Sequence, residues 1–153
     1  MKAPSPIVCA TLLCGFGLLM LLTSQTPPAP PLEQTLYAVQ GKKRVLLVGA
    51  PTAANADFQA QRTLLAGQQA QLDERDFLVI NLAYDRLSTA DKQFFARKTG
   101  LNPTGFSVVL IGKDGGVKLT SARPISSATL FGTVDQMPMR RREMRRGAVQ
   151  SFQ

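Results

Sequence analysis

FSVVLIGKDGGVKLTS, residues 106–121, decides the fold of this chain. Its first half is dominated by Val, Leu and Ile, the pattern of a strand buried on both faces. Lys113-Asp114-Gly115-Gly116 follows, with an Asp and two glycines that accept positive φ, which is the strongest hairpin signal in the chain. Residues 117–121 then alternate and return as a half-exposed strand, antiparallel to the first.

Working outward, KRVLLVGA (43–50) is a second short apolar run, ended by Gly49 and Pro51, and DFLVINLAY (76–84) is a third. Between them a helix is expected from Asn55 to about Leu72. Phe58, Leu65 and Leu72 recur every seven residues there, with Leu64 widening the stripe. Ser88-Thr89-Ala90-Asp91 is a capping-box signature, and the helix it opens carries Phe94 and Phe95. It stops at Gly100, with Arg97 and Lys98 in its last turn as the dipole prefers. Ser126 or Ser127 caps a last helix through Val134, ending before Pro138. The order β-α-β-α-β-β-α gives an α/β fold with a mixed central sheet and helices on both faces. Its two crossovers call for parallel early strands and its hairpin for an antiparallel edge. That is the core of the thioredoxin fold.

Ahead of these elements the composition changes. Lys2 and the run Ile7–Leu22 have the build of a secretory leader, too short for the ~20 residues of a spanning helix. Residues 1–24 are expected to be a signal peptide cleaved after Ser24. If kept, residues 7–22 would tether the domain to the inner membrane; either way the domain is exported, periplasmic or secreted. Residues 25–34, QTPPAPPLEQ, read as a Pro-rich spacer, 35–139 as the domain, and 140–153 as an Arg-rich C-terminal tail. Cys9 and Cys14 both fall in the leader, and Leu12-Leu13 does not suit lipid attachment at Cys14. The exported part would then rely on its core, and a domain of this size buries about two-thirds of its unfolded surface.

GFSVVLIGKDGGVKL and the MPMRRREMR terminus also carry a resemblance. The chain resembles, over about residues 32–146, a family of exported bacterial proteins built on a domain of unknown function. A related domain recurs in the vertebrate DUDES group of sushi-repeat and extracellular-matrix proteins. The resemblance implies a thioredoxin-like, peroxiredoxin-related fold and no established activity.

A redox thioredoxin places Cys-x-x-Cys after its first core strand, where a helix N-terminus lowers the thiol pKa. The corresponding edge here is Pro51, Thr52, Ala53, Ala54, Asn55, Ala56 and Asp57, without a thiol and with a carboxylate at the helix start. A thioredoxin also sets a cis-proline before the hairpin strand; Ser107 stands there, with Pro103 four residues too early. Thiol–disulfide exchange needs a thiolate, so the chain is expected not to be an enzyme of that kind. There is no histidine either, which removes the usual general base and the commonest transition-metal ligand. No cofactor and no metal are expected. Asp73, Glu74 and Asp76 lack the spacing of a calcium loop and read as a solvated turn. Gly112–Gly116 joins two strands and is not a phosphate loop.

The formal charge is +8, and half of it lies in residues 140–153, where Arg140, Arg141, Arg142, Arg145 and Arg146 face a single acid, Glu143. Helix-end capping needs fewer arginines than five. Nucleic acid is not expected as a partner, because the domain is exported and no aromatics interleave the run. The expected function is an exported, redox-inactive thioredoxin-like binding module for an unknown protein or small ligand. One alternative is an envelope-associated structural protein held at an anionic membrane or envelope surface by the arginines. The other is an enzyme with an unidentified non-thiol site.

Overall fold

The computed structural model describes residues 30–150. Four strands, β1 (Arg44–Ala50), β2 (Phe77–Ala83), β3 (Ser107–Ile111) and β4 (Val117–Ser121), form one sheet in the order β2-β1-β3-β4. β1 and β2 are parallel, whereas β3 runs antiparallel to β1 and to β4. The connection from β2 to β3 therefore reverses direction; only the first of the two expected crossovers joins parallel neighbours. Gly115, at φ 80°, makes the hairpin turn, and a register shift at Leu110/Ile111 bends the pair beside it.

Alternation along the central strands sorts the core into two layers. Leu46, Val48, Ala50, Val108 and Leu110 point to one face and pack with Phe58, Leu65, Leu72, Leu130, Phe131 and Val134. These come from α2 (Ala56–Leu65), α3 (Gln69–Glu74) and α5 (Ser127–Asp135). Val45, Leu47, Val109 and Ile111 point to the other face and meet Leu32, Leu36, Phe94 and Phe95. Those belong to α1 (Leu32–Val39) and α4 (Thr89–Thr99). The result is an α/β fold with helices on both faces of a mixed sheet.

Several boundaries differ from the sequence reading. The helix expected over 55–72 is two, because Ala66 leaves the helix and Gly67 turns at φ 78°. Leu64 points to solvent and is not part of the stripe. Leu32, Glu33 and Gln34, placed in the spacer, begin α1 instead. Ser126 does cap α5 through the Thr129 N–H, but α5 is not the last helix. Pro138, an acceptable first helical residue, opens α6 (Pro138–Gln150), so the arginine run is a helix of the domain and not a tail. No described helix is long and apolar enough to cross a membrane; the run 7–22 lies outside the described residues.

Candidate functional site

The two ends of the sheet differ in chemistry. At the C-terminal end of β1 lies the edge at which thioredoxin-like folds carry their thiols. Here the Asn55 side chain accepts the Phe58 N–H at 3.1 Å and is spent on capping α2, with Asp57 in the first turn. The Asp85 N–H donates to the Pro51 carbonyl and the Gln59 side chain to that of Ala53. Pairing of Gly49 with Ser107 brings this edge beside the start of β3. A cleft of about 420 Å³ opens there, lined by residues 101, 102, 104–107 and 120–122. Beneath it Tyr84 Oη and Ser107 Oγ share a buried hydrogen bond of 2.8 Å. Burial raises the phenol pKa, against the opposing pull of that bond, so Tyr84 stands as a neutral packing group.

The opposite end is a cage of charges. Arg44, the first residue of β1, is 1% exposed, yet its guanidinium has partners throughout. It donates to the Arg75 carbonyl at 2.8 Å and to both Glu143 oxygens at 3.1 and 3.2 Å. Lys113, from the hairpin, bonds Glu143 and Asp76 at 2.7 Å each. Arg140, 5% exposed, donates to the Glu74 carbonyl and carboxylate and to Asp135. Arg75 makes two bonds to Asp135, at 3.0 and 2.8 Å, while lying over the Phe131 ring at 4.7 Å. The Asp73–Asp76 stretch is an exposed turn as expected, but Glu74 and Asp76 also receive the cations that hold α6 and the hairpin. No group of acids or cysteines suited to a metal occurs among the described residues.

This cage acts on two carboxyls. The Arg75 hydrogen bond holds Asp135 below the usual carboxylate range, against burial and with help from Arg140. Burial pushes Glu143 up, but the bonds from Lys113 and Arg44 outweigh it and leave its pKa lowered. Both stay ionised at neutral pH.

The helical turn divides the five arginines. Arg140 and Glu143, three apart, share the inward face of α6. Arg141, Arg142, Arg145 and Arg146 are exposed, and among the described residues they make no ion pair. Met139 and Met144 flank them, 42% and 39% exposed. Arg141, Met144, Arg145 and Ala148 line a shallow groove along the outer face. Since the only acid of α6 is turned inward, the long side chains that residues 139–148 leave to solvent are arginines and methionines. Arg44, Lys113 and Glu143 were not among the expected site residues. The lone acid inside an arginine run was the signal that could have found Glu143.

The reading that the protein is not an enzyme rested on an absence of cysteine from the exported part, but the chain contains two, Cys9 and Cys14. Both lie outside the described residues, and that absence therefore does not exclude thiol chemistry from the chain. What holds is narrower: residues 30–150 contain no cysteine, so the thioredoxin-like domain has no redox-active disulfide.

Among solved structures, the chain is similar to a reduced 2-Cys peroxiredoxin from Plasmodium vivax. The TM-score is 0.52 at 18% identity, over 65% of this chain and 80% of the other. It is also similar to a protein disulfide isomerase candidate from Bacteroides thetaiotaomicron, with TM-score 0.45 and 17% identity over 67% and 77%. At such identity the peroxiredoxin likeness speaks to fold alone, and it agrees with the sheet described above. Residues 35–143, most of the domain and the inward half of α6 included, match the model of a domain of unknown function, DUF4174, and the chain belongs to that family.

Proposed function

We propose that this protein is an exported binding module that works at an anionic membrane or envelope surface, which it contacts through the outer face of α6. One observation carries the reading: α6 turns its acid and one arginine toward the fold and presents four arginines outward with no counter-charge on the same face. Each basic residue near an anionic bilayer contributes ~1 kcal/mol, so four hold a domain there reversibly and in a salt-dependent way. The methionines at the flanks add adaptable apolar contact. Lys2 and the apolar run 7–22 support export. The hairpin and the Met-Pro-Met-Arg segment support kinship with exported bacterial proteins and with the vertebrate matrix domain.

A second contact is favoured by the cleft at the thiol-free edge. It is open, lined by Asn102, Thr104, Ser107 and Thr120 with Phe106 beneath, and suits a small ligand or a protein loop.

The test of the main reading is sedimentation with vesicles of phosphatidylglycerol and phosphatidylcholine over a salt series. Wild type should bind at low salt and release as salt rises. Arg141→Glu/Arg145→Glu should lose at least tenfold in partition. Equal partition of both proteins, or binding indifferent to salt, would sink the proposal.

A further inference from the structure

A cleft of about 290 Å³ runs between the hairpin and the start of α6, with Met137, Pro138 and Met139 on one wall and Gly112 with the stems of Lys113 and Lys118 on the other. Its walls are mainly carbon, and its volume lies at the lower limit of small-ligand sites. Met137 packs against the core and is fixed, whereas Met139 stands at the lip, the most exposed methionine of α6 that the structure describes. Such a slot is apolar along its length and needs a polar terminus only at the mouth.

The charges around it select that terminus. Arg44 and Lys113 also border the cleft, but Glu143 and Asp76 occupy their nitrogens. Lys118 is different. Its Nζ has one partner, Asp114, and both side chains are exposed, at 35% and 51%. An ion pair in water contributes little, so Lys118 can exchange that carboxylate for one brought by a ligand. Since Arg44 and Lys113 are already neutralised, the opening for an anionic head among the lining cations is Lys118, whose exposed partner a ligand carboxylate can replace.

We propose that this cleft binds a monomeric long-chain carboxylate, with the alkyl chain along Met137–Met139 and the carboxylate at Lys118. The site is separate from the outer face of α6 and goes beyond the surface contact proposed above. Met139 is its adjustable gate, since a thioether at the lip repacks around chains of differing length.

Titration calorimetry of the whole protein with octanoate, decanoate and dodecanoate, below their micelle concentrations, tests the site. Saturable one-to-one binding is expected, tightening by about fourfold for each methylene buried until the slot is full. Dodecyltrimethylammonium, with the same chain and the opposite head, should bind at least tenfold more weakly. Met139→Glu and Lys118→Glu change exposed residues, and each should weaken dodecanoate at least tenfold without lowering the melting temperature by more than a few degrees. Arg141→Glu/Arg145→Glu should leave dodecanoate binding intact while vesicle partition is lost. Dodecanoate binding that is absent, shared by the cationic amphiphile, or indifferent to Met139→Glu overturns the cleft and leaves the surface contact standing. Vesicle partition that survives the double arginine change overturns the surface contact and leaves the cleft standing.

Discussion

Glu143 is the only acid in a run of arginines, and its place decides which side of α6 meets the fold. Glu143→Gln leaves the buried Arg44 guanidinium without a carboxylate, with the Arg75 carbonyl still in place. The expected loss is about 1–3 kcal/mol of unfolding free energy, read by urea denaturation at neutral pH. The pH dependence follows from the lowered pKa of Glu143 and Asp135 in the folded protein. A depressed carboxyl contributes stability that is fully present above its unfolded value, near 4. That contribution fades as pH falls through the lowered folded value. Wild type should therefore lose stability below about pH 4, and Glu143→Gln should lose less over the same interval. Neighbouring arginines separate in the same way. Arg140→Ala removes three hydrogen bonds from a buried site and should cost about 2 kcal/mol, whereas Arg141→Ala should stay within about 0.5 kcal/mol. If the two melt alike, the inward placement of Arg140 is wrong. Composition marked all five arginines equally, because the distinction lies in the phase of a helix that a run of like charges does not announce.

Elements were legible wherever a local signal fixed both the period and an end. The hairpin had its Asp and glycines, α4 its Ser88 cap and Gly100 stop, and α5 its Ser126. α1 had no such cap: Pro31 precedes it without a side-chain bond, and its first N–H is satisfied from a distance by Asp91 Oδ1 at 2.8 Å. Asp91 does two jobs, taking the Ser88 hydroxyl within α4 and the Leu32 N–H of α1. The second depends on tertiary placement and cannot be read along the chain. Asp91→Ala should speed amide exchange at Leu32–Thr35 by about fivefold, the equivalent of ~1 kcal/mol, while exchange in β1 is unchanged. Uniform acceleration throughout the domain would mean that the contact is not local to α1. The α2–α3 break was missed for a related reason. The seven-residue spacing of Phe58, Leu65 and Leu72 survives it, so the apolar pattern continues while the backbone turns at Gly67.

Across the whole molecule, the buried runs fixed which strands exist, while their neighbours were set by packing. β3 pairs antiparallel with β1, a choice that depends on how α4 returns its chain across the sheet and that the run 106–112 does not contain. This topology separates the two contact surfaces. β1 carries Arg44 of the charged cage at its start and Ala50 beside the thiol-free edge at its end, and seven strand residues span about 20 Å. A domain resting on a bilayer through α6 would therefore keep its opposite edge in solvent, free for a second partner. Hydrogen-exchange mapping with and without phosphatidylglycerol vesicles should show this. Protection is expected along 139–148 and at the hairpin 112–118, with none at 51–57 or 101–107. Protection centred on the thiol-free edge would place the membrane contact at the wrong end of the sheet and make the arginine face a solvated helix surface. The expected footprint, reversed by salt, would leave the cleft beside Phe106 as the place to seek a partner that the protein carries at the surface.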